Sequence, residues 1–341
     1  NFFTIGITFL NQNIDIVSSK IFDRHFVLDG NGVTDRFDKL LQLLKKFKPN
    51  FIYYPSIGMD PFVMVLASFK LAKKQIYSLG NPAPVMSKTM DAVITNHEEL
   101  VIDHDPFAEQ LVVDKVPMKL LFPEIKTQCS WKILNKNTKN NSDHKVKIGI
   151  TATSFKFSFE FISLLKKLGE IYSTSLEFRF FIGAGKQIID VQIDNFLNEE
   201  FNHSFTRFNN SSYCTYMRNL AECDIWLSPF PFGSTNSLVD AIRLGLIGPC
   251  LSTNNTYVEY AEKSLYEKMG LEEFVASSQE EYLNIAVELI DSFYNKYTLR
   301  LRRLSSKASP ETCLKTLTSY SNSSKESTQI ITEYLLKNPV K

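Results

Sequence analysis

Short apolar runs alternate with stretches in which apolar residues recur every three or four positions, and this alternation fills most of the chain. A short apolar run bounded by turn residues predicts a buried strand. The three-to-four period predicts a helix with one apolar face. In the first part, Phe2–Thr8, Phe26–Leu28, Phe51–Tyr54, Gln75–Leu79 and Ala92–Thr95 read as strands. Phe37, Leu40, Leu41 and Leu44 give a helix over 33–47 its face, and Pro61 suits the first turn of a helix running to about Ala72. Residues 126–145 are polar and rich in Asn and Lys, which predicts a linker or a surface excursion. The rhythm then restarts. Strands are expected at Val146–Thr151, Leu176–Ile182 and Phe205–Arg207, with helices over 155–168, 188–201 and 213–222. Further helices are expected over 256–269 and 280–303. The Ser/Lys/Thr-rich tail after Leu304 has room for a last helix over 327–336.

Alternating strands and helices predict an α/β fold with parallel sheets and helices on both faces. In such sheets ligands bind beyond the carboxyl ends of the strands. The loops Pro55–Asp60 and Gly80–Pro84 occupy that position, which makes Ser56, Gly58, Met59, Gly80 and Asn81 candidates for an acceptor-side site. The expected domains are a first Rossmann-like lobe over 1–125, the linker over 126–145, a second lobe over 146–304 and a tail over 305–341, with the lobes facing across a cleft. The chain starts at Asn1 and runs at once into a strand, so it reads as a fragment whose first lobe is incomplete.

The most informative stretch runs from Asp224 to Cys250. Ile225–Ser228 suits a strand, which Pro229 and Pro231 end because proline donates no ladder hydrogen bond. Gly233 permits a sharp turn, and Ser234, Thr235 and Asn236 are residue types favoured at a helix start. Leu238, Ala241 and Ile242 continue at helical spacing, and Gly245 and Gly248 are expected to close the helix. The first N–H groups of a helix lack intrahelical partners and carry the positive end of its dipole, so a helix start with hydroxyl and amide side chains suits a phosphate. Asp240, one turn in, suits the hydroxyls of a ribose. Together these describe a nucleotide site; an ordinary capped helix is the alternative from the same residues.

Composition narrows the classes. The chain has 341 residues, suited to two domains, and Lys+Arg 38 against Asp+Glu 37 gives a net charge of +1. Bulk charge therefore argues against a nucleic-acid or membrane-surface protein. Cys129, Cys214, Cys223, Cys250 and Cys313 show no metal-ligand spacing and read as reduced cysteines of a cytoplasmic protein. His97 and His104 beside Asp103 and Asp105 are better read as a solvated loop than as a metal site. Gly183-Ala-Gly185 lacks the third glycine of a dinucleotide fingerprint, which disfavours an oxidoreductase.

Pro229-Phe-Pro-Phe-Gly-Ser-Thr-Asn-Ser-Leu-Val-Asp240, followed by Leu244-Gly-Leu-Ile-Gly-Pro-Cys250, resembles the cytoplasmic bacterial glycosyltransferases that modify high-molecular-weight adhesins, relatives of O-GlcNAc transferase. Tyr54-Pro-Ser-Ile-Gly-Met59, Leu79-Gly-Asn-Pro-Ala83 and Thr153-Ser-Phe-Lys156 fit the same family. The resemblance implies a GT-B fold and transfer of a hexose, with inversion and without a metal or other cofactor. The donor would be UDP-glucose or UDP-galactose, and the acceptor asparagine in Asn-x-Ser/Thr of a protein such as an adhesin before export. It further implies that Lys156 is the catalytic cation balancing the departing diphosphate. Ser234, Thr235 and Asn236 would bind the same phosphates, and Asp240 the ribose.

The departures from the family pattern are specific. Ser234 stands where the family has asparagine, Ser237 where it has glycine, and Asn81 where it usually has histidine. Cys214 stands where a histidine packs on the uracil, so this position offers a thiol in place of a ring. These changes keep a second reading open, a non-catalytic GT-B module that binds a protein or glycan partner.

Overall fold

The computed structural model describes residues 3–9, 22–30, 32–55, 57, 61–78, 85, 87–95, 110–113, 145–182, 187–201, 205–209, 211–253, 257–294, 332–334 and 337. The chain forms two compact units, Asn1–Val116 together with Glu326–Lys341, and Pro117–Lys325.

In the first unit β1 (Ile5–Phe9) pairs in parallel with β2 (Arg24–Leu28). Next come α1 (Val33–Phe47), β3 (Phe51–Tyr54), α2 (Pro61–Ala67), β4 (Lys74–Ser78), β5 (Ala92–Thr95) and β6 (Gln110–Val113). Strands β3 to β6 form a parallel sheet in chain order. The α1 stripe places Leu40 in the core with Phe37, Leu43 and Leu44 against it. Helix α2 ends at Ala67, short of the expected Ala72. The buried Gln75 side chain explains the early stop: it accepts from the Leu71 N–H and donates to the Phe69 carbonyl, taking groups a longer helix would use. From the far end of the sequence, Tyr334 packs with Ile76, Ala92 and Ile94.

The second unit holds β7 (Val146–Ala152), α3 (Phe159–Tyr172), β8 (Leu176–Ile182), α4 (Gln187–Phe201), β9 (Phe205–Phe208), α5 (Tyr213–Leu220) and β10 (Ile225–Leu227). These are followed by α6 (Thr235–Arg243), β11 (Cys250–Leu251), α7 (Tyr257–Lys268), β12 (Val275–Ala276) and α8 (Gln279–Tyr294). Its parallel sheet has the order β10-β7-β8-β9, and β11 pairs in parallel with β12. Strands β7 and β8 are buried on nearly every residue, as a parallel sheet covered on both faces requires. Asp224 locks the start of β10 to β7: its carboxylate accepts from the Lys147 N–H at 2.9 Å and its own N–H donates to the Lys147 carbonyl at 2.7 Å.

The two glycines expected to end α6 do different work. Gly245 has φ 73, the left-handed conformation that stops a helix. Gly248 lies beyond the helix against Trp226, where a Cβ would overlap the Trp226 carbonyl. That close approach lets the Trp226 N–H donate to Ile247 at 3.2 Å and ties the β11 segment to β10.

Candidate functional site

The site of interest lies in the second unit, beyond the carboxyl ends of β7 and β10. After β7 the chain does not enter a helix at Phe155, as expected from sequence. It makes a short 3-10 turn at Ser154–Lys156 and then starts α3 at Phe159. Ser158 causes the break. Its Oγ accepts from the Phe161 N–H, an N-cap, and donates to the Phe230 carbonyl at 2.7 Å. Lys156 is thereby held on a turn before the helix.

After β10 the loop 228–234 is fixed from several sides. The Phe230 ring is buried against Phe161 and Tyr282, and the Tyr282 hydroxyl donates to the Ser228 carbonyl at 2.7 Å. The Phe230–Pro231 peptide is cis. Helix α6 then begins at Thr235, with Ser234 at the N-cap position but making no side-chain cap bond. Its Oγ accepts instead from the Lys156 ammonium at 3.2 Å, and the same ammonium donates to the Gly233 carbonyl at 2.5 Å. The Phe232 ring lies 5.2 Å from it. A cation thus rests beside the positive end of a helix, an arrangement that can take an anion.

Beneath this turn lies Glu262 of α7, 3% exposed. One carboxylate oxygen accepts from the Ser234 N–H and the other from Ser228 Oγ at 2.6 Å. Burial pushes its pKa up to about 7, opposed by the bonds from Ser228 and Ser234 and by the Lys156 charge. For Lys156, burial lowers the pKa and the Glu262 charge opposes that.

Asp240 lies one turn into α6. It accepts from the Tyr213 hydroxyl at 2.5 Å, and Arg243 donates to the same hydroxyl at 3.3 Å. Burial raises the Asp240 pKa; the Tyr213 hydroxyl, the Arg243 charge and the Tyr216 hydroxyl lower it. The structure therefore groups Lys156 with Ser234, adjoining Thr235 and Asn236, and sets Asp240 with Tyr213 farther along the same helix. Cys214 is half-buried on α5, next in sequence to Tyr213. Ser56, Gly58, Met59, Gly80 and Asn81 lie outside the described residues, as do His97, Asp103, His104, Asp105 and Gly183–Gly185.

Glu262 and Tyr213 did not emerge from the sequence. A signal for Glu262 was present. Glu259 and Glu262 fall in phase with Leu265 and Tyr266 along α7, placing carboxylates on an apolar face. Both are buried. Glu259 accepts from the Thr253 N–H and hydroxyl, closing the turn after β11.

No family profile matches the chain. Two curated relatives, both named UDP-glucose:protein N-beta-glucosyltransferase, come from Actinobacillus pleuropneumoniae serotype 5b (strain L20) and serotype 7 (strain AP76). Each is 27% identical, over 301 and 300 residues respectively, and each match covers 88% of this chain. The chain is a homologue of these protein N-glucosyltransferases. It spans about half their length, 47% in both cases. Among solved structures, a mutant of Thermobaculum terrenum O-GlcNAc transferase superposes with a TM-score of 0.68 at 17% identity, over 96% of this chain and 60% of that one. Anabaena HepE, solved with UDP and glucose, gives 0.55 at 11% identity over 95% and 91%. The shared fold is α/β of the GT-B class. Among the described residues, no helix is long and apolar enough to cross a membrane.

Proposed function

We propose that the protein is a metal-independent, inverting glycosyltransferase that moves a hexose from a UDP-sugar to asparagine in Asn-x-Ser/Thr of a protein acceptor. The observation that carries this reading is the Lys156 ammonium held at the start of α6 beside Ser234, with Asp240 one turn along the helix. The names of the relatives support UDP-glucose as donor and a protein as acceptor. UDP-galactose is the second donor to try, an adhesin before export is the acceptor type, and the cytoplasm is the compartment.

In this mechanism the diphosphate lies against the first N–H groups of α6, with Thr235 and Asn236 beside it. Asp240 takes the ribose hydroxyls in place of the Tyr213 hydroxyl. The asparagine nitrogen attacks the anomeric carbon from the face opposite UDP and releases one of its two N–H protons to solvent, which forms the C–N bond and inverts that centre. The bond to the β-phosphate oxygen breaks, and negative charge grows on UDP. Lys156 and the fixed helix donors balance that charge, so their effect is larger in the transition state than in the ground state.

The test is transfer itself. The full protein is incubated with UDP-glucose or UDP-galactose and an Asn-x-Ser/Thr peptide in EDTA, and products are read by mass spectrometry and NMR. A β-linked hexose on asparagine is the expected product. Transfer that requires added divalent metal contradicts metal independence. UDP binding without transfer to any acceptor favours the non-catalytic module.

A further inference from the structure

We propose that Glu262 is a positioning residue of this site, whose carboxylate clamps the Gly233–Ser234 turn and sets where the Lys156 ammonium rests. The consequence for turnover rests on the nucleotide-sugar reading above; the pairing of Glu262 with Lys156 does not.

Ser234 is the link between the two charges. Its N–H donates to Glu262, and its Oγ accepts from Lys156 at 3.2 Å. The second carboxylate oxygen takes the Ser228 hydroxyl at 2.6 Å, so Glu262 joins both ends of the loop 228–234. Gly233 admits the carboxylate, because a Cβ there would overlap it. A buried carboxylate needs compensating charge. The groups facing it are Lys156 from the turn after β7, Cys250 from β11, Tyr266 from its own helix and Tyr282 from α8. Burial pushes the thiol and both phenols well above their ordinary values, which keeps them neutral. Among these, Lys156 is the cation.

A bound diphosphate changes that balance. It draws the ammonium toward itself and places negative charge near Glu262. Anion binding therefore favours a protonated Glu262, and an ionised Glu262 weakens the hold on UDP. Burial pushes the Glu262 pKa up to about 7, so its charge changes around neutral pH. The same carboxylate then orients Lys156 before the donor arrives and promotes departure of UDP afterwards.

The decisive variant is Glu262→Gln, which keeps the shape and an acceptor for the Ser234 N–H. Two readouts are needed on the full protein. The first is the Lys156 pKa by NMR of methyl-labelled lysines without nucleotide, expected to fall by about one unit in the variant. The second is UDP affinity by calorimetry at about pH 6 and about pH 8, where a one-unit rise of the Glu262 pKa on binding corresponds to about tenfold. UDP titrates identically in both experiments, so the difference between the two proteins belongs to Glu262. The variant should bind UDP severalfold to about tenfold more tightly at the higher pH and comparably at the lower. An unmoved Lys156 pKa with parallel affinity profiles would overturn the proposal. If neither protein binds UDP, the nucleotide reading fails, and the lysine titration alone decides the role of Glu262. Should Glu262→Gln not fold, Lys156→Met serves instead: the Glu262 carboxyl must then titrate at higher pH than in the native protein, and an unchanged titration overturns the pairing.

Discussion

Gly233 is the residue on which the local geometry turns. Its missing side chain makes room for the Glu262 carboxylate, which in turn reaches the Ser234 N–H. Gly233→Ala should therefore destabilise the second unit by about 1–3 kcal/mol, the usual cost of overpacking, and thermal denaturation would measure it. An unchanged melting temperature would mean that the loop relaxes freely. Residues at the helix start were legible because their chemistry follows a local rule. Ser234, Thr235 and Asn236 sit where a helix begins, and Asp240 follows one turn later. Glu262 shows in the sequence only as a carboxylate in phase with an apolar helix face, which does not say what it binds. Its partners Ser234 and Ser228 are distant in sequence, and a glutamate on a helix ordinarily reads as solvated. The Tyr213 bond to Asp240 was hidden for the same reason.

At the scale of elements, one serine joins two parts of the site. Ser158 caps α3 and donates to the Phe230 carbonyl, so it fixes both the end of the Lys156 turn and the loop before α6. Ser158→Ala should cost about 1 kcal/mol from the lost cap, seen in denaturant unfolding, and should weaken UDP binding although Lys156 is intact. Loss of stability with native affinity would show that the cap supports α3 alone. Strands β7 and β8 were plain in the sequence because fully buried parallel strands are continuous apolar runs. Strands β6 and β12 were missed. The two residues of β12 are too short to establish a period. The false helix start at Phe155 arose because its aromatic residues mimic an apolar face, although Phe155 and Phe159 are 94% and 83% exposed.

For the whole molecule, the repeated strand–helix rhythm was enough to read two α/β units, since each must bury its own sheet. The return of Tyr334 to the first unit was not readable, because its partners Ile76, Ala92 and Ile94 lie far earlier in the chain. The central claim is that the second unit binds UDP through Lys156 and the start of α6 without a metal. Calorimetric titration of UDP into the full protein in EDTA, with and without Lys156→Ala, tests it most directly. The expected result is binding that survives EDTA and weakens sharply in the variant, because the cation facing the diphosphate is lost. Absence of UDP binding by the folded native protein, or equal binding by the variant, would contradict it.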